Sequence, residues 1–333
     1  MKKLIWLVIT LVLIGSATKA SADPIRTKVR IGHFPNLTHA QALVGHANGL
    51  FEKNLGPVEW SVFNAGPSVI EALFAGQIDI AYIGPSPAVN GYVKSQGDAL
   101  RVVAGAASGG AALVVRAGAG IETPADFHGK KIASPQLGNT QDVALRSWLK
   151  ARGLELKETG GDVQAIPVAN ADQVTLFLKG EIDGAWTVEP WVSILEQTAG
   201  GKVFLDEASL WPGGKYATTV VIVRRKFLEE HPGIVKSFLK THAEITSWIN
   251  AHPEEAKKAV GKEIKKETHK PIPAEILESA WARIRFSPEM LKESVLAQAQ
   301  AAFQAGFLKK EPELSTLFEP DLLGEDSPVE SAP

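Results

Sequence analysis

Residues 75–88 read AGQIDIAYIGPSPA, and residues 179–190 read KGEIDGAWTVEP. Both contain Gly-x-Ile-Asp-x-Ala-aromatic and reach a proline a few residues later. A glycine that ends a helix, followed by a short turn and an Asp at the head of a hydrophobic run, is how a helix hands over to a strand. Asp79 and Asp183 are therefore read as turn residues heading two equivalent strands, not as a catalytic carboxylate pair. A phrase written twice predicts a structural corner built twice.

The surroundings of the first phrase alternate in character. KVRIGHF (28–34), VEWSVF (58–63), DIAYIG (79–84) and RVVAGAA (101–107) are strand-like, while THAQALVGHANGLFEK (38–53), SVIEALFAG (68–76) and PAVNGYVKSQG (87–97) have helical periodicity. The pattern restarts with ALVVRAG (112–118) and a helix start at Thr123-Pro124. It continues through strands KKIASP (130–135), VQAIPV (163–168), DGAWTV (183–188) and KVFLDE (202–207). Between them lie helices TQDVALRSWLKARG (140–153), DQVTLFLKG (172–180) and WVSILEQTAG (191–200). Such alternation predicts an α/β fold of mostly parallel sheets with right-handed crossovers. After TTVVIVRR (218–225) the chain reads as helical to residue 308, broken at Pro232, Pro253, Pro271 and Pro273. Its run KKAVGKEIKKETHK (257–270) reads as a solvated helix face and loop, and residues 321–333 as a disordered acidic tail.

A chain of 333 residues is long enough for one large or two ordinary domains. Its formal net charge of −2 argues against a nucleic-acid binder held by a broad basic surface. The absence of cysteine removes disulfides, thiolate nucleophiles and cysteine–zinc sites together. Lys2 and Lys3, the apolar run Leu4–Ile14 and Ala20-Ser21-Ala22 make residues 1–22 a signal peptide, cut after Ala22. With no cysteine at the cut for a lipid, the exported protein is expected to be soluble, in a Gram-negative periplasm.

In open α/β sheets, ligands bind at the carboxyl ends of strands. The loops expected there are PNLTH (35–39), NAGPS (64–68), GPSPA (84–88), ASGGA (107–111), PQLGNTQ (135–141), VAN (168–170) and TVEP (187–190). They carry hydroxyls, amides and glycines but no Lys or Arg. Thr38-x-x-Gln41, Ser68-x-x-Glu71 and Asn170-x-x-Gln173 read as capping boxes, and Ser86-Pro87 as a cap followed by a first-turn proline. Free N–H groups at helix starts suit a small, ionised oxyanion. Glu189 has two readings, an acceptor for a proton-bearing ligand group or a cap on its own helix. Trp186 and Trp191 either wall the cleft or fill the core. His33, His39 and His46 suggest a metal, but no carboxylate stands at matching spacing, so no metal ligands and no cofactor are assigned.

The stretches IGHFPNLTHAQAL, FNAGPSVIEALFAGQIDIAYIGPSPAVNGY, AGAASGGAALVVR, DFHGKKIASPQLGNTQDVALRSWL and GEIDGAWTVEPW together resemble the periplasmic substrate-binding proteins of ABC importers. The resemblance is to the branch that carries aliphatic sulfonates, taurine and nitrate, and covers roughly residues 28–250. It implies the two-lobed type II periplasmic-binding-protein fold, with the ligand in the cleft and closure by a hinge. Lobe one would be 23–114 plus 219–320 and lobe two 115–218, with ALVVR and TTVVIVR as the crossing strands. Implied ligand contacts are Asn36, Thr38, His39, Ser68, Ser86, Ser108 and Gly110 from lobe one, and Asn139, Thr140, Gln141, Trp186 and Glu189 from lobe two. The implied partners are a small anion, a membrane permease and its ATPase, met by a monomer that touches the membrane only through the permease. The same fold also serves pyrimidine-synthesising enzymes of the thiamine pathway, but that activity depends on a Cys-rich motif that this chain lacks. A periplasmic ligand-sensing subunit is the remaining rival.

Overall fold

The computed structural model describes residues 27–319 and Leu322. The expected signal peptide and, apart from Leu322, the expected acidic tail lie outside the described residues. In the first sheet, strand β1 (Val29–His33) is linked through helices α1 (Ala40–Ala47) and α2 (Leu50–Leu55) to β2 (Val58–Val62). Helix α3 (Gly66–Phe74) leads to β3 (Ile80–Ile83), and α4 (Pro85–Lys94) leads to β4 (Leu100–Gly109). The chain then builds β5 (Ala111–Arg116), β6 (Lys131–Ser134), α5 (Thr140–Lys150), β7 (Gln164–Pro167), α6 (Asn170–Leu178), β8 (Gly184–Val188), α7 (Trp191–Thr198) and β9 (Gly201–Asp206). It returns with β10 (Ala217–Arg224), α8 (Arg225–Glu230), α9 (Pro232–Ala251), α10 (Pro253–Thr268), α11 (Ala274–Trp281), β11 (Ile284–Phe286) and α12 (Lys292–Gln304).

Six strands form one sheet in the order β11-β4-β10-β3-β1-β2, and five form the other in the order β7-β6-β8-β5-β9. Both contain the same unit. In each, a three-strand parallel group (β2-β1-β3 or β7-β6-β8) meets an antiparallel strand contributed from elsewhere in the chain (β10 or β5), and then a last strand (β4 or β9). The sheets are mixed where the sequence pattern predicts mostly parallel ones. Helical crossovers keep consecutive strands parallel, whereas β5 and β10 enter directly from the other sheet and run against their neighbours. β5 lies wholly in the second sheet and β10 wholly in the first. The change of sheet therefore falls at Gly110, ahead of the expected border after residue 114. Gly109 and Gly110 both have positive φ (81° and 76°), a backbone that glycine adopts freely, and a Cβ on Gly110 would press on Ile284.

The strand pattern explains how the core is divided. In β10, Val221 and Val223 pack on one face with Phe238 and Ile245, while Val220 and Ile222 pack on the other with Val89 and Val295. β5 likewise sends Leu113 and Val115 to one face and Ala112 and Val114 to the other. A continuous apolar run is what a strand covered on both faces requires. Pro232 and Pro253 open α9 and α10 at the first-turn position, where the missing N–H costs nothing.

The doubled phrase lies at equivalent corners. Asp79, heading β3, accepts the Arg30 backbone N–H (3.1 Å) from β1 and the Arg224 guanidinium (2.7 Å) from the end of β10. Asp183, heading β8, accepts the Lys131 N–H (3.0 Å) from β6 and the Arg116 guanidinium (3.1 Å) from the end of β5. Each carboxylate thus ties the first, third and inserted strands of its unit together.

Candidate ligand-binding site

The N-terminal turn of α5 is fixed by its own sequence. Asn139 caps it by accepting the Asp142 N–H (2.8 Å), and Asp142 in turn accepts Ser134 Oγ (2.8 Å), the Gly138 N–H (2.9 Å) and Arg146 Nε (3.0 Å). This network aims Thr140 at the start of α4 in the first lobe, where its Oγ1 accepts the Ser86 N–H at 3.3 Å. The approach is close enough that a Cβ on Gly84 would collide with Thr140. Other contacts join the two lobes. Trp191 Nε1 donates to Asn36 Oδ1 (2.9 Å), the Leu37 N–H to the Glu189 carbonyl (3.0 Å), and Gln136 Nε2 to Ser68 Oγ (3.2 Å). The lobes are in contact across the cleft.

Between them lies a cavity of about 230 Å³, bounded by Ser86 from α4, one face of α5 from Thr140 to Trp148 with Ala151 and Arg152 just beyond its end, the Glu207–Trp211 segment, and Gln298 and Ala301 of α12. Val143, Ala144, Ala301 and Leu210 give it an apolar wall. Four polar atoms of its lining residues are buried without a hydrogen-bond partner among the described residues: Ser86 Oγ, Trp148 Nε1, Trp211 Nε1 and Gln298 Oε1. Buried polar groups are almost always paired, so four beside one mostly apolar cavity are groups that a bound molecule or water has still to satisfy. The hydroxyl and the two indoles can donate to an oxyanion, and Gln298 Oε1 can accept from an N–H. The other acceptor is Glu207, which is buried and takes the Trp186 Nε1–H at 2.7 Å. Burial pushes its carboxyl up to about 7 against the pull of Trp186. Trp211 adds a weaker pull without reaching hydrogen-bond geometry.

Of the residues expected from sequence, Ser86 and Thr140 line this cavity. Asn139 and Gln141 stand beside them, joined by an Nδ2–Oε1 hydrogen bond of 3.1 Å. Asn36 and Ser68 are engaged across the lobes, as described. His39 is buried under Phe34 (ring centroids 4.4 Å) and accepts the Phe34 N–H, and burial holds its imidazole well below the usual range, with His33 a second cause. Thr38 is buried against Gly110, and Ser108 Oγ accepts the Tyr216 N–H at 3.2 Å. The structure corrects two expectations. Trp186 packs in the second lobe's core with Phe127 and Trp148, because its strand is covered on both faces. Glu189 caps its own helix, accepting the Ser193 N–H (3.0 Å) and Oγ (2.9 Å). Burial, opposed first by Ser193, lifts its carboxyl to about 7.

The three expected capping boxes and the expected Ser86 cap do not form. Thr38 precedes α1 in a short 3-10 turn, Ser68 and Ser86 lie inside α3 and α4, and Asn170 follows its N-cap, Ala169. Their side chains are thereby released to neighbours, as when Asn170 Oδ1 accepts Thr187 Oγ1 at 2.9 Å. Glu207, Trp211, Trp148 and Gln298, which also line the cavity, carry no local signal in the sequence. Glu207 stands at the end of a predicted strand, and its unusual feature, a buried carboxylate among indoles, arises only from folding.

A family profile described as the NMT1-like family matches residues 22–264. The chain is 30% identical over 214 residues to the taurine-binding periplasmic protein of Escherichia coli, covering 64% of each chain. It is 30% identical to a putative aliphatic sulfonates-binding protein of Bacillus subtilis, covering 77% of this chain and 76% of that one. Among solved structures it is similar to an alkanesulfonate-binding protein of Xanthomonas axonopodis pv. citri bound to MOPS. The TM-score is 0.72 at 20% identity, over 90% of this chain and all (100%) of that one. A periplasmic nitrate-binding protein of Synechocystis aligns with a TM-score of 0.68 at 18% identity, over 86% of this chain and 83% of the other. These structural likenesses place the chain in the periplasmic-binding-protein fold.

Proposed function

Because this chain belongs to the NMT1-like family, we propose that it is the solute-binding component of an ABC uptake system, and that it captures a small organic oxyanion, most simply an aliphatic sulfonate. Lobe closure would trap the ligand, and the closed form would present it to a membrane permease and its ATPase from the periplasm. The observation that carries this reading is the lining of the interlobe cavity. It combines buried donors without partners, the N-terminal turns of α4 and α5, and an apolar wall. A sulfonate head group fits the donors, and its carbon chain covers the wall. Nitrate would leave that wall uncovered. Glu207 and Gln298 Oε1 favour a ligand that also carries an ammonium, so taurine-like amino-sulfonates are the preferred subclass. The names of the sulfonate- and taurine-binding relatives support the same class.

The test is calorimetric titration and thermal shift of the purified protein against taurine, alkanesulfonates, nitrate, sulfate and phosphonates. A ligand at a hundred times its Kd stabilises the fold by about 2.7 kcal/mol, so a true ligand gives a clear rise in Tm. Sulfonates are expected to bind and nitrate to bind weakly. Failure of every anion would end the reading. Permease and ATPase genes beside this one would support transport over sensing, and their absence would favour sensing.

A further inference from the structure

We infer that the first lobe carries a binding site for a divalent transition-metal ion of the zinc class, formed by His33, His46 and Glu267 with Glu263 as fourth ligand. It is separate from the ligand cavity and shares no residue with it. His33 is the last residue of β1, His46 lies in the last turn of α1, and Glu263 and Glu267 stand four residues apart on one face of α10. One donor atom from each of His33, His46 and Glu267 lies within 4.8 Å of the others. His33 Nε2 is 2.7 Å from Glu267 Oε1, which lies 3.8 Å from His46 Nδ1, and His46 Nδ1 is 3.2 Å from Glu263 Oε1. Donors of a tetrahedral zinc site with bonds of about 2.0–2.1 Å stand about 3.3 Å apart, so these separations bracket the requirement.

Two further observations separate this arrangement from a set of histidine–carboxylate hydrogen bonds. His33 Nε2 and Glu267 Oε1 do form a hydrogen bond (2.7 Å), but among the described residues His46 Nδ1, close to both carboxylates, and Glu267 Oε2 are buried without a hydrogen-bond partner. Their lone pairs are uncommitted in the same small volume. The charges also need an explanation. The carboxylates of Glu263 and Glu267 are 4% and 5% exposed, and two adjacent buried negative charges are costly. Lys266 reaches Glu263 from the surface at 2.7 Å. A divalent cation with two neutral imidazoles and two carboxylates would leave the site electrically neutral. Trp60 holds the rings in place, stacked on His46 (4.7 Å, 19°) and edge-on to His33 (5.4 Å, 90°). His46 is 23% exposed, which gives an ion an entry path. His33 Nδ1 is buried without a partner among the described residues. Loss of such an outer hydrogen bond typically costs 10–100-fold in affinity, so a micromolar site is expected rather than a tight structural one.

The experiment is equilibrium dialysis of the purified, chelator-treated protein against Zn²⁺ alone, with Ca²⁺ and Mg²⁺ as controls. One equivalent of Zn²⁺ should bind with micromolar Kd and raise the apparent Tm, and the hard cations should not compete. His46→Gln and Glu267→Gln should each weaken Zn²⁺ binding at least about tenfold, whereas the surface variant His252→Gln should leave it unchanged. Circular dichroism checks folding, and partly exposed His46→Gln decides the matter if Glu267→Gln does not fold. No Zn²⁺ binding in the micromolar range, or binding that His46→Gln leaves intact, would overturn the site. Sulfonate titration on the same samples is an independent measurement, so failure of one proposal leaves the other standing.

Discussion

With a sulfonate in the cavity, Glu207 is the residue expected to tell an amino-sulfonate from a plain one. Its carboxyl, raised to about 7 by burial, is mostly protonated at pH 6 and mostly ionised at pH 8. An ammonium placed against it is attracted only to the ionised form. Affinity for taurine should therefore rise with pH up to about 7, roughly tenfold per unit below that value, and then level off. Affinity for a plain alkanesulfonate, charged throughout, should stay flat, and in Glu207→Gln both profiles should be flat. Calorimetry across this range checks the prediction, and identical pH profiles for the two ligands in the native protein would remove Glu207 from the site. At the donor pole, a hydrogen bond to a charged group contributes about 1.5–3 kcal/mol, so Thr140→Ala should weaken both ligands alike. Thr140 and Ser86 could be found in the sequence because helix starts at strand ends are recognisable by hydroxyls, glycine and proline. Glu207 could not, since nothing in VFLDEASLW announces that folding will bury its carboxylate. The sequence also pointed to Glu189 and Trp186, whose polar groups are used by their own helix and core.

At the level of elements, the repeated Asp corner was legible, and its two copies differ in a measurable way. Asp79 is 1% exposed and is held by Arg30 and Arg224, whereas Asp183 is 21% exposed and, among the described residues, its side-chain partner is Arg116 alone. Burial raises the Asp79 carboxyl, but the hydrogen bonds of Arg30, then of Arg224, outweigh it and bring the group below its usual range. Its contribution is therefore present above the ordinary carboxylate pKa and is lost as pH falls through the lowered one. Asp79→Asn breaks a buried pair and should cost about 3 kcal/mol, while Asp183→Asn should cost about 1 kcal/mol. Urea denaturation midpoints at neutral pH test the order, and equal losses would mean that burial does not separate the corners. Strands and helices of the repeat show in the sequence because their hydrophobic period extends over a whole element. β11 does not show, because Ile284–Phe286 is three residues long and carries no period of its own. The 3-10 turns at Glu207–Leu210 and Pro212–Gly214 escaped notice for the same reason, and one of them supplies part of the cavity wall.

At the scale of the whole molecule, the short strand β11 has a consequence for closure. Arg283, just before it, reaches from the first lobe to Glu189 (3.3 Å) and Glu196 (2.8 Å) on the second. It is outside the cavity lining, so its effect on ligand binding is expected to pass through the balance between open and closed lobes. A ligand that binds the closed form has its apparent affinity scaled by the closed fraction. Arg283→Ala leaves the buried Glu189 carboxylate with Ser193 alone and removes two attractions that exist only when the lobes meet. A loss of about 1–2 kcal/mol in closure corresponds to roughly 5- to 30-fold weaker sulfonate binding, with no change in the order of preference among ligands. Small-angle X-ray scattering should show a larger radius of gyration for the variant at a ligand concentration that closes the native protein. Glu196→Gln should reproduce part of the loss, and the double variant should lose less than the sum because the two residues share one contact. Native affinity in Arg283→Ala, or an altered ligand preference, would show that this pair does not act through closure.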